Sequence, residues 1–179
     1  MRNLRTRNLV VCAMIAALYT ALCLVLSPLS YGMVQVRVAE ALTLLPVFSP
    51  IAIVGVTFGC ALSNLVGFMS GANILGFLDI FFGTAATLVA ALMSYRLRNV
   101  RTLGLPVLSA IPPVVVNAVV IGLELMWMET GGFNLTAFAV NALYVGAGQA
   151  ISCVILGLPL VYVLRKTGVS GLIDGNRRH

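Results

Sequence analysis

The sequence contains few residues of the kinds on which enzymes and metal sites depend. It has one histidine, at the C-terminal position His179, and Asp and Glu together number 5 among 179 residues. Its four cysteines lie in apolar runs, without CxxC or Cys/His spacing. These shortages argue against histidine-based catalysis, a zinc site and a disulfide framework. We therefore expect no cofactor, no metal and no enzymatic activity.

Charge is also scarce, and apolar residues dominate. Charged residues make up 9% of the chain and hydrophobic residues 60%, and the mean hydropathy is +1.06. A soluble domain would carry roughly 25% charged residues, so the composition indicates a membrane protein. At about 20 apolar residues per crossing, the chain has room for about five to seven helices. We expect a single membrane domain over 1–179, with any energy source beyond an ion gradient supplied by another protein.

Six apolar segments are predicted to cross the membrane. The first follows an arginine-rich stretch, as in a signal peptide, but the later spans favour an uncleaved first helix. The second is short, and a corner at Pro46–Pro50 separates it from the third, because proline disrupts a helix interior. The predicted spans are 8–27, 38–48, 50–67, 76–95, 105–127 and 137–164.

The net charge of +6 is confined almost entirely to three short clusters between apolar spans. This pattern is typical of cytoplasmic flanks and does not indicate a nucleic-acid partner. Six crossings put all three clusters on one side. The sequence therefore predicts an all-α, multi-pass protein of the cell membrane, a compact bundle of six transmembrane helices with both termini cytoplasmic. No internal repeat is evident, so a carrier built from two rocking halves is not supported.

Arg37 and Glu40 place opposite charges in an otherwise apolar region. Ionisable residues at membrane depth usually mark a pathway or a binding site. Their spacing puts them on one face of a helix, where they are expected to neutralise each other. The alternative is an ion pair at the membrane boundary that only sets the depth of the helix.

Further polar residues are predicted to converge near the outer ends of the later helices. Single amides often form only interhelical hydrogen bonds, but unpaired carboxylates at depth are costly. Carboxylates, amides and aromatic faces together suit a small, planar, nitrogen-rich molecule, including a cationic one, and suit a phosphate or a sugar acid poorly. The predicted substrate-binding residues are Arg37, Glu40, Asp79, Asn117, Glu124, Trp127, Asn141, Tyr144 and Gln149.

Small residues recur every four positions along the first helix, at Ala13, Ala17 and Ala21. Such a stripe lets another helix approach closely. The pattern alone is equally compatible with packing inside the bundle and with docking of a partner protein.

Three segments carry recognisable motifs: QVRVAEALTLLP at 35–46, GCALSNLVG at 59–67, and FLDIFFGTAATLVAALMSY at 77–95, which has an Asp-x-x-x-Gly-Thr-x-x-Thr pattern from Asp79 to Thr87. These segments resemble the queuosine-precursor transporter family. Members of that family are substrate-binding S-components of energy-coupling-factor transporters. The resemblance implies partnership with a transmembrane coupling subunit and two cytoplasmic ATPases, with the alanine stripe as the docking surface. It also implies a 7-deazaguanine substrate, the aminomethyl form being the expected one.

On that resemblance, one carboxylate is expected to bind the guanine-like N–H edge and another the aminomethyl cation, with Arg37 orienting Glu40. Trp127 or Tyr144 is expected to cover the ring face, and the 28–36 loop to act as a lid. Two alternatives stay open: an S-component for another vitamin or nucleobase, and a stand-alone ion-coupled carrier that uses Arg37, Glu40 and Asp79 as a relay.

Overall fold

The computed structural model describes residues 2–31, 36–102 and 104–174, and these residues form helices and no named strand. The predicted lid at 28–36 includes residues 32–35, which lie outside the described residues. The helices are α1 (Arg2–Val25), α2 (Ser27–Ser30), α3 (Ile51–Met69), α4 (Leu78–Arg96), α5 (Ile111–Thr130), α6 (Leu135–Ala150), α7 (Leu158–Lys166) and α8 (Ser170–Asp174), with 3₁₀ helices at Val38–Val47 and Val107–Ala110 and a π-helical segment at Ile151–Gly157.

Within the described residues, five helices are long and apolar enough to cross a membrane. They are Arg5–Val25, Ile51–Met69, Leu78–Arg96, Val107–Thr130 and Leu135–Lys166. They overlap five of the six predicted spans, so the all-helical, membrane-spanning fold is confirmed. The last of them contains the π-helical segment, a local widening of the helix that often occurs at functional sites.

The predicted second span differs from the others. It is a 3₁₀ helix of 10 residues, Val38–Val47, in which Ala39 through Val47 are all buried. At about 2.0 Å per residue it covers about 20 Å, less than the roughly 30 Å of a hydrocarbon core. Pro46 lies inside it, Phe48 closes it with a hydrogen bond to the Leu45 carbonyl, and Pro50 precedes α3. The predicted proline corner is confirmed, and we call Val38–Val47 the short buried helix.

Helices α1 and α3 pack closely and run in the same direction. A Cβ at Gly55 would lie 2.9 Å from the Ile15 Cβ, and a Cβ at Gly59 would lie 2.7 Å from the Tyr19 Cβ. Further along both segments, the Tyr31 hydroxyl donates to the Ser63 carbonyl at 2.6 Å. Early residues of α1 therefore meet early residues of α3, and late residues meet late ones. The absence of a side chain at the two glycines permits this close approach.

The chain between these parallel helices must return along them, and the short buried helix lies on that path. At its start, Arg37 hydrogen-bonds the Ser30 carbonyl beyond the end of α1. One turn on, Glu40 reaches Tyr19 in the interior of α1. At its far end, Phe48 lies against the Arg165 guanidinium near the end of α7. The short buried helix thus runs antiparallel to α1 through the bundle interior.

Candidate functional site

A buried ion pair joins the short buried helix to α4. Arg37 Nη2 lies 2.6 Å from Asp79 Oδ2, and both side chains are almost fully enclosed, at 3% and 0% exposure. Asn73 Nδ2 donates to the same Asp79 oxygen at 2.8 Å, and Arg37 Nε donates to the Ser30 carbonyl at 3.1 Å. Asp79 lies in the first turn of α4, where the helix dipole favours a negative charge. The pair fixes the start of α4 against the start of the short buried helix.

This pairing corrects the expected neutralisation of Glu40 by Arg37. Arg37 precedes the short buried helix with an extended backbone, at φ −77° and ψ 93°. The three-residue spacing therefore does not put it on a shared helical face with Glu40. The Arg37 side chain lies 5.4 Å from the centre of the Tyr31 ring and pairs with Asp79 instead.

Glu40 has a different partner on α1. Its Oε1 accepts a 2.5 Å hydrogen bond from the Tyr19 hydroxyl, and both side chains are completely buried. Its second oxygen, Oε2, has no hydrogen-bond partner among the described residues. The amide of Asn117 on α5 lies close enough to interact with the Glu40 carboxylate, yet its Nδ2 is unpartnered in the same part of the chain. One carboxylate oxygen and one amide donor therefore lie close together, each without a hydrogen bond in the described part of the chain.

A second set of open polar atoms surrounds Asp79. Asn64 Nδ2 on α3 donates to the Asp79 backbone carbonyl at 2.8 Å. Asn64 Oδ1 and Asp79 Oδ1 have no partner in the described ranges. Gly83 leaves room here, since a side chain at that position would overlap the Asp79 carboxylate. Buried polar atoms left unpaired cost about 1–3 kcal/mol each, so their concentration indicates a place for a ligand.

Glu124 of α5 is the third carboxylate near this region, and it interacts electrostatically with both Asp79 and Arg37. Both of its carboxylate oxygens are buried, and neither has a partner in the part of the chain that the structure describes. The side chain lines a groove of about 410 Å³ between α4 and α5. The other residues of this groove, which we call the α4–α5 groove, are Leu78, Phe82, Val120, Leu123 and Trp127.

The remaining predicted site residues lie elsewhere. Asn141 donates to Glu129 at 2.9 Å in a separate surface groove that Tyr144 also lines. Trp127 and Tyr144 are 58% and 49% exposed, so neither covers the buried carboxylates. Gln149 is buried beside Cys153, which itself contacts the Glu40 carbonyl. The structure therefore brings together Arg37, Glu40, Asp79, Asn117 and Glu124, with Gln149 behind the short buried helix.

The alanine stripe faces outward. Ala13, Ala17 and Ala21 are exposed on α1, whereas Ala16 is buried against α3, where its carbonyl oxygen would lie 3.0 Å from a Cβ at Gly59. The stripe does not pack inside this bundle and leaves small residues exposed along α1.

Comparison with known proteins places these features in a family. The sequence profile described as "QueT transporter" matches residues 9–166. The chain belongs to the QueT transporter family. A curated member, the queuosine precursor transporter QueT of Lactococcus lactis subsp. cremoris, is 36% identical over 91 residues. That alignment covers 50% of each chain, so this chain spans about half the length of its curated relative. No solved structure matches the chain.

Family membership confirms the resemblance found at 35–46, 59–67 and 77–95, and with it a multi-pass membrane location. The family is one of transporters, which agrees with the expectation that the chain is not an enzyme. The described residues also contain no group of three His, Cys, Asp or Glu side chains that would hold a metal ion.

Three contributors to the site were missed by sequence reasoning: Tyr19, Asn64 and Asn73. Asn64 is a polar residue within the apolar helix α3, and that polarity was a usable signal. Tyr19 reads as an ordinary aromatic residue of a membrane helix, and Asn73 as a loop residue. The role of Tyr19 depends on its hydrogen bond to Glu40, 21 positions along the chain. The role of Asn73 depends on its hydrogen bond to Asp79, 6 positions along the chain.

Removing one partner of the buried ion pair should be far more damaging than removing both. We expect Arg37→Gln and Asp79→Asn each to destabilise the protein by about 3–5 kcal/mol, because each leaves an uncompensated buried group. The double variant should lose much less than the sum of the two. Unfolding in detergent, arranged as a double-mutant cycle, measures this. Additive losses would contradict the pairing.

Proposed function

We propose that this chain is the substrate-binding S-component of an energy-coupling-factor transporter, and that it captures a queuosine precursor from outside the cell. The substrate class is a 7-deazaguanine, with 7-aminomethyl-7-deazaguanine as the expected ligand. Uptake is then driven by ATP hydrolysed in partner subunits.

The observation that carries this proposal is the set of open buried polar atoms in a chain of the QueT family. Glu40 Oε2, Asp79 Oδ1 and Asn64 Oδ1 are open acceptors, and Asn117 Nδ2 is an open donor, each without a hydrogen-bond partner among the described residues. A guanine-like edge presents adjacent N–H donors and a carbonyl acceptor, which complement these groups. The name of the Lactococcus relative, a queuosine precursor transporter, supports the same substrate class.

Six crossings with cytoplasmic termini form part of the proposal. The parallel packing of α1 and α3 requires a return crossing between them, and the short buried helix lies on that path. Arg165, at the end of α7, donates to the Gly104 carbonyl between α4 and α5, so these ends lie on one side. Arg96 ends α4, and Arg98 and Arg101 lie between the same two helices, which supports a cytoplasmic position for this side under the positive-inside rule.

The exposed stripe of α1 supports the proposed partnership. Ala13, Ala17 and Ala21 are exposed small residues on a membrane helix, and small residues let another helix approach closely and pack by van der Waals contact. A transmembrane coupling subunit is the partner that the S-component class implies, and that subunit connects to two cytoplasmic ATPases.

One competing function has an observation in its favour. Three carboxylates and one arginine near the bundle interior are also the groups that a proton- or ion-coupled carrier uses as a relay. Such a carrier would act without partners. The other alternative is a protein of the same S-component class that binds another vitamin or nucleobase.

Ligand binding by the purified chain alone tests the proposal. We expect saturable binding of 7-aminomethyl-7-deazaguanine, with guanine a weaker competitor and riboflavin and thiamine without effect, because the open polar atoms match the edge of a guanine-like ring. Isothermal titration of the deazaguanine into the protein in detergent measures this, with and without each competitor present. Failure to bind the deazaguanine, or preference for one of the two vitamins, would overturn the substrate assignment.

A bulky residue on the stripe should separate binding from transport. We expect Ala17→Trp to leave ligand binding unchanged and to reduce uptake by the assembled transporter by about tenfold or more, because it prevents close helix approach. Ala85→Trp is the matched control, since Ala85 is an exposed alanine in the interior of α4. Equal uptake by the two variants would contradict docking on the α1 surface.

A further inference from the structure

The three carboxylates of the site differ in how many hydrogen-bond and ion-pair partners the protein provides for each. Asp79 is paired with the Arg37 guanidinium at 2.6 Å and also accepts from Asn73. Glu40 accepts the Tyr19 hydroxyl at 2.5 Å. Glu124 has no hydrogen-bond or ion-pair partner on either oxygen among residues 2–31, 36–102 and 104–174.

Among the described residues, the site therefore has more carboxylates than positive partners, and Glu124 is the carboxylate left without a partner of either kind. Arg37 forms its ion pair with Asp79, so its charge is already compensated. A carboxylate withdrawn from water without a partner is costly, and the cost is removed when the group gains a cation or a proton. Of the three acids, Glu124 is the one that has no hydrogen-bond or ion-pair partner within the described residues, and it lines an open groove.

The α4–α5 groove combines aromatic and aliphatic side chains with one carboxylate. Phe82 and Trp127 supply aromatic surface and Leu78 and Leu123 aliphatic surface, with the Glu124 side chain lining the same groove. Aromatic faces stabilise both a stacked ring and a nearby ammonium group. Glu124 lies six residues before the end of α5 at Thr130, about 9 Å along the axis, so the groove lies towards the outer end of the helix.

Asn117 lies seven residues before Glu124 on α5, two turns deeper on the same side of the helix. Its free amide donor is close to Glu40, which has a free oxygen. Seven residues rise about 10 Å along the helix axis, which is the length scale of a bicyclic base with a one-carbon arm. Such a ligand, with its ring edge at Glu40 and Asn117, would extend its arm towards Glu124.

We propose that Glu124 is the counterion of the ligand's cationic arm and that it determines the preference for an aminomethyl ligand over a neutral one. This inference rests on the proposed function and goes further, because it assigns separate roles to the carboxylates. Glu40 then contributes equally to any ligand with the same ring, whatever its arm.

The test compares two ligands that differ only in the charge of the arm. In 7-ethyl-7-deazaguanine a methyl group replaces the ammonium of 7-aminomethyl-7-deazaguanine at nearly the same volume. We expect the unmodified chain to bind the aminomethyl ligand about 10- to 100-fold more tightly, and Glu124→Gln to remove most of this preference by weakening the aminomethyl ligand alone. Isothermal titration of both ligands against each variant gives the ratio.

Glu129→Gln is the matched control. It removes a carboxylate from the same helix, at a position hydrogen-bonded to Asn141 outside the α4–α5 groove, and it should keep the preference. Glu124→Asp retains the charge on a shorter side chain and should keep part of the preference, which separates loss of charge from loss of folding. Thermal unfolding without ligand checks that every variant is folded.

Each outcome decides a different claim. A preference that survives Glu124→Gln, or a Glu124→Gln variant that loses both ligands equally, would overturn the role of Glu124 and leave the proposed function standing. Loss of the preference in Glu129→Gln as well would attribute it to net charge and also overturn the assignment. An unmodified chain that binds neither ligand would overturn the proposed function itself.

Discussion

The buried ion pair between Arg37 and Asp79 is the interaction on which the rest of this architecture depends. It connects the segment after α1, through the Ser30 carbonyl, to the first turn of α4, and Asn73 holds it from the loop between α3 and α4. The short buried helix begins at this point and descends between α1 and α7. Breaking a buried pair leaves a charge that the membrane interior does not solvate. The pair therefore fixes where the chain re-enters the bundle, and so where Glu40 lies.

The same pair determines what the site has left to offer a ligand. Arg37 forms its ion pair with Asp79 and not with Glu124, and Glu40 is held by the neutral Tyr19 hydroxyl. The open atoms that remain are mostly acceptors, with the Asn117 amide as a donor among them. A nitrogen-rich ring with N–H donors and a cationic arm complements such a set, whereas an anionic ligand would add repulsion. This complementarity connects the electrostatics of the fold to the substrate class that we propose for this QueT family member.

Much of the fold followed from the sequence because membrane helices are specified by length and hydropathy. Five of the six predicted spans are long helices, and the Pro46–Pro50 corner is present. The short buried helix was expected to be a short crossing, and its 3₁₀ geometry is not encoded in hydropathy. The wrong Arg37–Glu40 pairing had the same origin, since a three-residue spacing implies contact only when both residues lie within a helix. Glu40, Asp79, Asn117 and Glu124 were identifiable as costly polar residues, but their partners Tyr19 and Asn73 depend on tertiary contacts.

The central claim is that this chain binds its ligand alone but transports it only with an ATP-hydrolysing partner module. Uptake of 7-aminomethyl-7-deazaguanine into vesicles tests it most directly, with the chain reconstituted either by itself or together with a coupling subunit and two ATPases. The account predicts ATP-dependent uptake in the complete system and none above background with the chain alone, whether or not a proton gradient is applied. Gradient-driven uptake by the chain alone would contradict it and would identify a self-sufficient carrier.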